Sequence, residues 1–188
     1  TRKALKLADS EIFSVSYSYA NKATQYYTTD QVISESFSGG SAFTYGYDAL
    51  GNLISVNENG IQKLNYTYDA LSQLVREDNY YSGKTYIWTY DKGGNILTKS
   101  EYAYTTGTPG EPLSTVNYSY GNSDWKDLLT EYNGTAINYD LSGNPLNWRN
   151  ASSLTWDGRR LSGMTLTDGS ELAFEYNAEG LRTGKTVG

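Results

Sequence analysis

The 188-residue sequence contains neither cysteine nor histidine. The lack of Cys rules out disulfides and thiolate chemistry and leaves the redox compartment unreadable. With His missing too, Ser-His and Cys-His nucleophilic pairs and every His-based or thiolate metal site are excluded. Basic residues are few and scattered, 15 against 21 acidic ones, for a formal net charge of -6. A phosphate backbone requires a coherent basic surface, so nucleic acid is not an expected partner. No run of 18 apolar residues exists, so no membrane insertion is expected, and Thr1 to Ser10 lacks the apolar stretch of a signal peptide. The missing initial Met and the abrupt end at Val187-Gly188 read as a piece of something longer. No window shows a convincing 3.6-residue period, so helix should stay below about a tenth of the chain.

Tyrosine dominates what is present, with 19 Tyr and 4 Trp against 4 Phe and 1 Met, and 19 Gly against 3 Pro. Tyr and Trp join an apolar body to a polar tip and suit a half-buried pleated surface better than a dry helical core. At 38% hydrophobic residues the chain is long enough for a sizeable buried core.

The sequence repeats. Tyr45-Gly46-Tyr47-Asp48-Ala49-Leu50-Gly51-Asn52-Leu53 returns 21 residues later as Tyr66-Thr67-Tyr68-Asp69-Ala70-Leu71-Ser72-Gln73-Leu74, and after 22 more as Trp88-Thr89-Tyr90-Asp91-Lys92-Gly93-Gly94-Asn95-Ile96. Looser copies lie at Tyr139-Asp140 with Gly143, at Trp156-Asp157, and at Tyr176 with Gly180; eroded ones fit Tyr118 to Leu129 and Tyr17 to Ser41. Between copies stand Asn59-Gly60, Ser82-Gly83, Asn133-Gly134 and Asp168-Gly169. Asn-Gly and Asp-Gly between alternating segments mark hairpins, because both central residues of a type I′ turn need positive φ. Turn marks 9 to 12 residues apart leave short strands joined by tight turns.

The predicted fold class is all-β: tandem antiparallel hairpin repeats forming one curved or spiralling sheet. Residues 1–42 read as a degenerate N-terminal repeat or edge strands, and residues 43–188 as tandem hairpins with an inserted loop at about 101–115, where Pro109 and Pro112 break the pattern. Leu64, Tyr66 and Tyr68 share one face of their strand while Asn65 and Thr67 share the other, giving an aromatic and a polar face. The aromatic face must be covered, by the sheet curling, by a loop such as 101–115, by another copy or by a cargo.

The motif has a local rationale. An Asp at the start of a turn accepts bonds from backbone N–H groups just downstream, Gly supplies the left-handed angle, and the preceding aromatic packs across the strand pair. The structural motif residues are thus Tyr47, Asp48, Gly51 and Asn52; Tyr68 and Asp69; Tyr90, Asp91, Gly94 and Asn95; Tyr139, Asp140 and Gly143; Trp156 and Asp157; Tyr176 and Gly180.

These residues resemble the YD repeats of the Rhs and teneurin families, whose motif runs Tyr-x-Tyr-Asp-x-x-Gly-Asn/Arg-Leu. The resemblance covers about three quarters of the chain, with three close copies. It implies a sheet spiralling into a hollow shell in secreted or cell-surface proteins, bacterial toxin shells among them, with neighbouring repeats, and in toxin relatives an enclosed effector, as partners. The Asp-Pro signature of the self-cleaving end of such shells is absent, since the prolines follow Thr108, Glu111 and Asn144. No catalytic residue, metal or cofactor is carried over. Asp124 and Asp127 are the nearest pair of acids beside an aromatic, and they read as a polar turn. The alternative function is a glycan-binding aromatic repeat, with Trp125, Trp148 and Trp156 as stacking platforms.

Overall fold

The computed structural model describes residues 1–21 and 28–188. Among the described residues all sixteen regular elements are β-strands, and every register between them is antiparallel. The middle of the eroded N-terminal copy, residues 22–27, lies outside the described residues. Packing forms two compact units, Thr1–Thr115 and Val116–Gly188.

In the first unit β1 (Arg2–Leu7), β2 (Ser10–Asn21), β3 (Thr28–Phe37), β4 (Ala42–Tyr47), β5 (Leu53–Glu58), β6 (Ile61–Tyr68), β7 (Leu74–Asn79), β8 (Lys84–Tyr90) and β9 (Ile96–Ala103) pair in chain order. The β3–β4 pairing, Ser34↔Thr44 to Ser36↔Ala42, crosses position 42 without a break. Asn59 and Gly60 have φ of 51° and 80°, the double positive φ of a type I′ turn. Ala8 and Asp9 adopt the same conformation, with φ of 45° and 63°, at a turn no Asn-Gly signal announces. β10 (Ser114–Ser119) carries the boundary between the units.

The second unit holds the short hairpin of β11 (Glu131–Tyr132) and β12 (Thr135–Ala136), then β13 (Ala151–Asp157), β14 (Arg160–Leu166), β15 (Glu171–Tyr176) and β16 (Arg182–Val187) in a four-stranded sheet. Between β12 and β13 the meander persists without regular ladders: Leu146 N donates to Asn138 O at 2.7 Å and Leu154 N to Leu146 O at 2.8 Å. Pro145, bridged to Tyr139, has no N–H to give a ladder there.

The pairing slips by one residue just after the motif turn wherever paired strands flank it. Tyr47 pairs Leu53 but Gly46 pairs Ser55; the same shift recurs at Thr67/Tyr68, Thr89/Tyr90, Thr155/Trp156 and Glu175/Tyr176. Ile54, Val75, Leu97, Ser162 and Thr183 are the extra residues. A bulge at the same place in these five copies raises the right-handed twist at regular intervals.

The core is thinner than the apolar content suggests. Among the described residues the buried hydrophobic side chains are Val15, Val56, Ile137, Ala151 and Leu154, and most strand side chains are half-buried. Each side chain is flanked by its neighbours on the same face. The aromatic face is also not purely apolar. The registers place Glu35 opposite Phe43, Glu77 opposite Tyr66 and Tyr86, and Glu101 opposite Tyr86. Tyr45 donates to Glu35 at 2.5 Å, Lys84 pairs with Glu101 at 2.7 Å, and Lys99 lies 4.6 Å from the Tyr86 ring centre.

The loop between β9 and β10 lies against the polar face rather than covering the aromatic one. Thr85, opposite in pleat to Tyr86, is fully buried beneath it. Its one hydroxyl hydrogen is shared between Thr105 O and Asp78 Oδ1, both at 3.0 Å, and its oxygen accepts from Thr105 N at 3.1 Å. Arg76 completes the latch, bonding Asp78 at 2.8 Å through Nε and the carbonyls of Thr105 and Gly107 at 2.7 and 2.8 Å through Nη2. The loop brings the polar main chain that a polar face can satisfy. Thr85→Val keeps the shape but strands these groups, a loss of about 1–3 kcal/mol. Urea unfolding should show that loss, and limited proteolysis should cut within residues 104–113 sooner than in the parent chain.

Candidate functional site

The residues that repeat assemble one device per turn. In the first close copy Asp48 Oδ1 accepts from Leu50 N at 2.9 Å and Asn52 N at 2.8 Å, while Oδ2 accepts from Asn52 Nδ2 at 2.9 Å. Asp69 accepts from Leu71 N and Gln73 N at 2.8 and 2.9 Å; Asp91 from Gly93 N, Asn95 N and Asn95 Nδ2 at 2.8, 2.9 and 3.0 Å. Asp140 repeats this with Ser142 N, Asn144 N and Asn144 Nδ2. At the last copy Asn177 stands in the Asp place and accepts from Glu179 N and Leu181 N at 3.1 and 2.9 Å. The turn itself closes through the backbone, Asp48 N to Asn52 O and Gly51 N to Asp48 O. The residue before the Asn sits in the left-handed region: Gly51, Gly94, Gly143 and Gly180 have φ of 80° to 91°, and Ser72, replacing Gly, has 60°.

Asp157 departs from this pattern. It pairs directly with Arg160 across the two-residue turn Gly158-Arg159, which is too short for the downstream N–H groups that the other acids collect.

The motif turns are tied to neighbouring repeats by two kinds of contact, of which the first is seen at two of them. Asn52 Nδ2 donates to Ser72 Oγ at 3.0 Å, and Asn144 Nδ2 to Gly158 O at 2.7 Å. A Cβ on Gly51 would meet Gln31 Nε2, and one on Gly94 would meet Gln73 Nε2, each at 3.0 Å. The second contact comes from the motif aromatic, whose polar tip reaches back one repeat to a main-chain carbonyl. Tyr47 Oη donates to Val32 O at 2.8 Å, Tyr68 to Leu53 O at 2.9 Å, Tyr90 to Leu74 O at 2.6 Å, Tyr139 to Leu129 O at 2.6 Å and Tyr176 to Leu161 O at 3.0 Å. Trp156 does the same through Nε1, to Pro145 O at 2.7 Å. The acceptor follows the Asn or Gln position of the previous copy in most repeats. The residue types show that these tips need partners; only the register identifies the carbonyl.

The electrostatics fit hydrogen-bond clamps. The side-chain amides of Asn52 and Asn95 are the largest influence holding the Asp48 and Asp91 carboxyls below their ordinary 3.8, with backbone N–H groups adding to it; at Asp140 the Asn144 N–H leads. Burial, then the charge of the preceding repeat's Asp, pushes Tyr68 and Tyr90 up, keeping them as neutral donors. Among the described residues no three acidic side chains gather as a metal cage would require.

The three tryptophans are in different situations. Trp148 lies against Tyr132, ring centres 5.0 Å apart and planes tilted by 52°, with Arg149 at 5.3 Å from its ring centre. Trp156 is engaged by its bond to Pro145, and both rings line an open apolar groove of about 490 Å³ with Leu154, Leu161 and Met164. Trp125 is half-exposed at 52% and lies over Gly143, where a Cβ would come within 3.1 Å of its ring. Asp124 and Asp127 are exposed beside it, the former in a turn held by Asn122 Oδ1.

No family model matches the chain, and no curated protein matches it. Solved structures do share its fold. Against TcdB2-TccC3-TEV the TM-score is 0.69 at 20% identity, over 92% of this chain and 10% of the other. The Photorhabdus luminescens Tc holotoxin pore gives 0.66 at 19% identity over 92% and 10%, and TcdB2-TccC3 gives 0.66 at 18% over 93% and 10%. The chain thus spans about a tenth of the length of these proteins and shares the fold of a stretch of a toxin complex.

Two outcomes follow for the turn row. Gly94→Ala puts a Cβ at a φ of 91° and against Gln73, a loss of about 1–2 kcal/mol or more in chemical denaturation. Because the three clamped carboxyls have folded values below 3.8, their stabilisation is present above that pH and is lost as pH falls through the lowered values. The combined Asp48→Asn, Asp91→Asn, Asp140→Asn chain keeps the acceptor that Asn177 shows to suffice, and its stability should fall less steeply below pH 3.8 than the parent's.

Proposed function

We propose that the chain is a non-catalytic structural module of the YD-repeat, Rhs/teneurin type, one segment of a shell or cell-surface protein that encloses or presents a toxin or effector. The observation that carries this reading is the backward bond of each motif aromatic, which gives every repeat a partner in the preceding one and makes the sheet extensible. The acids at positions 48, 69, 91 and 140 serve as turn clamps, which supports a structural role for them. Likeness in fold to the Tc toxin structures supports the same reading. In it, the partners are neighbouring repeats at either end and an enclosed cargo, and the setting is secreted.

An extensible sheet has edges that accept further strands. Thr1 and Tyr17 exchange both main-chain bonds, so along β1 the N–H groups of Arg2 and Ala4 point away from β2. On β16, Gly188 and Glu171 pair likewise, so Lys185 N–H points outward. The isolated chain should therefore associate with rising concentration in sedimentation velocity, and Ala4→Pro with Lys185→Pro should abolish this while leaving the circular dichroism unchanged, since neither residue donates to its own ladder. A wild-type chain that stays monomeric up to its solubility limit would count against the segment reading. Turnover of a glycoside or peptide that is lost on one carboxylate substitution would refute the non-catalytic one.

A further inference from the structure

Asn-Gly occurs twice, at Asn59-Gly60 and Asn133-Gly134, and both pairs form the same two-residue turn, with φ of 51° and 80° at the first and 49° and 80° at the second. Their main chains are anchored alike: Asn59 N donates to Ala42 O and Asn133 N to Asn117 O, each at 2.8 Å. Their side chains are not. The Asn59 carboxamide is held, Oδ1 accepting from Ala42 N at 2.9 Å. Among the described residues nothing bonds the exposed Asn133 carboxamide. The hairpins differ as well. β5 and β6 pair over Ser55 to Glu58 inside a continuous sheet, whereas β11 and β12 share only Glu131↔Ala136 and Tyr132↔Thr135.

We propose that Asn133 is a modification site at which the folded protein deamidates spontaneously, while Asn59 is protected by its bond to Ala42. The Gly134 nitrogen, unhindered because no side chain follows it, loses its proton to hydroxide and attacks Asn133 Cγ. The new C–N bond closes a succinimide, and the carboxamide nitrogen leaves as ammonia. Water then opens the ring at either carbonyl to give aspartate or isoaspartate, so that one water is consumed and one ammonia released. At Asn59 the same attack first requires breaking the bond that fixes the side chain. The carboxylate formed at position 133 enters a recess of about 150 Å³ that also holds Tyr132, Asn147 and Arg149, a cation that favours the product. Isoaspartate routes the main chain through the side-chain carbon, and a two-residue turn has no slack for the added atom. The product hairpin loses the register of β11 with β12.

The test is peptide mapping by mass spectrometry, with enzymatic isoaspartate labelling, of the intact chain aged at mildly alkaline pH, folded and in urea. In the folded chain Asn133 should convert several-fold faster than Asn59, up to about tenfold, the range one net hydrogen bond corresponds to. In urea, where the bond to Ala42 is gone, the two rates should converge. Asn133→Gly, which keeps the positive φ, should remove most of the isoaspartate from the folded sample. Asn59 converting as fast as Asn133 in the folded chain would overturn the assignment, as would Asn133 remaining intact while the urea sample converts.

Discussion

The hydrogen bond from each motif aromatic to a carbonyl one repeat back does for this protein what a second layer does for an ordinary sheet. Few hydrophobic side chains are buried, so the transfer of apolar surface from water contributes less per residue than in a two-layer domain. A Tyr lying across the strand pair covers apolar area with its ring and ends on a main-chain group that would otherwise face solvent or a slack turn. Ring and hydroxyl act together. Phe could supply the first alone, which accounts physically for Tyr rather than Phe at positions 47, 68, 90, 139 and 176.

The other regularities serve that bond. The clamp at Asp48 and its equivalents fixes the turn, the left-handed Gly permits it, and the bulge one residue past the acceptor sets the angle at which the next strand leaves. Where the turn is shortened, as at Asp157, the clamp is gone but Trp156 still reaches Pro145. The backward bond therefore outlives changes in the turn that positions it, and even a change of donor from hydroxyl to indole.

How much of this could be read beforehand follows from the range of each interaction. The Asp and Gly roles at 48, 51, 91 and 94 span at most four residues, and the residue types state them. The all-β class and the Asn59-Gly60 and Asn133-Gly134 turns were legible for the same reason. The acceptors of the Tyr hydroxyls lie 10 to 16 residues back, and register, unlike turn identity, is settled only once neighbouring strands pair. The bulges are set the same way. The Thr85 latch joins residues 20 and 29 apart through backbone carbonyls, which carry no residue signature. The core was overestimated because composition counts apolar residues without saying whether a second layer exists to cover them. The motif grouping also included Asp157 with the other acids, although the one missing turn residue was there to be counted.

The backward direction of the aromatic bond gives assembly a polarity. A repeat emerging during synthesis can close its own turn at once, because the clamp is local. Its carbonyl acceptor, however, waits for an aromatic that is translated later: Leu53 for Tyr68, Leu74 for Tyr90, Leu161 for Tyr176. In a chain made from its amino end, each repeat is completed only when the aromatic of the following one has emerged. The repeat made last at any moment therefore holds a main-chain carbonyl still waiting for its donor.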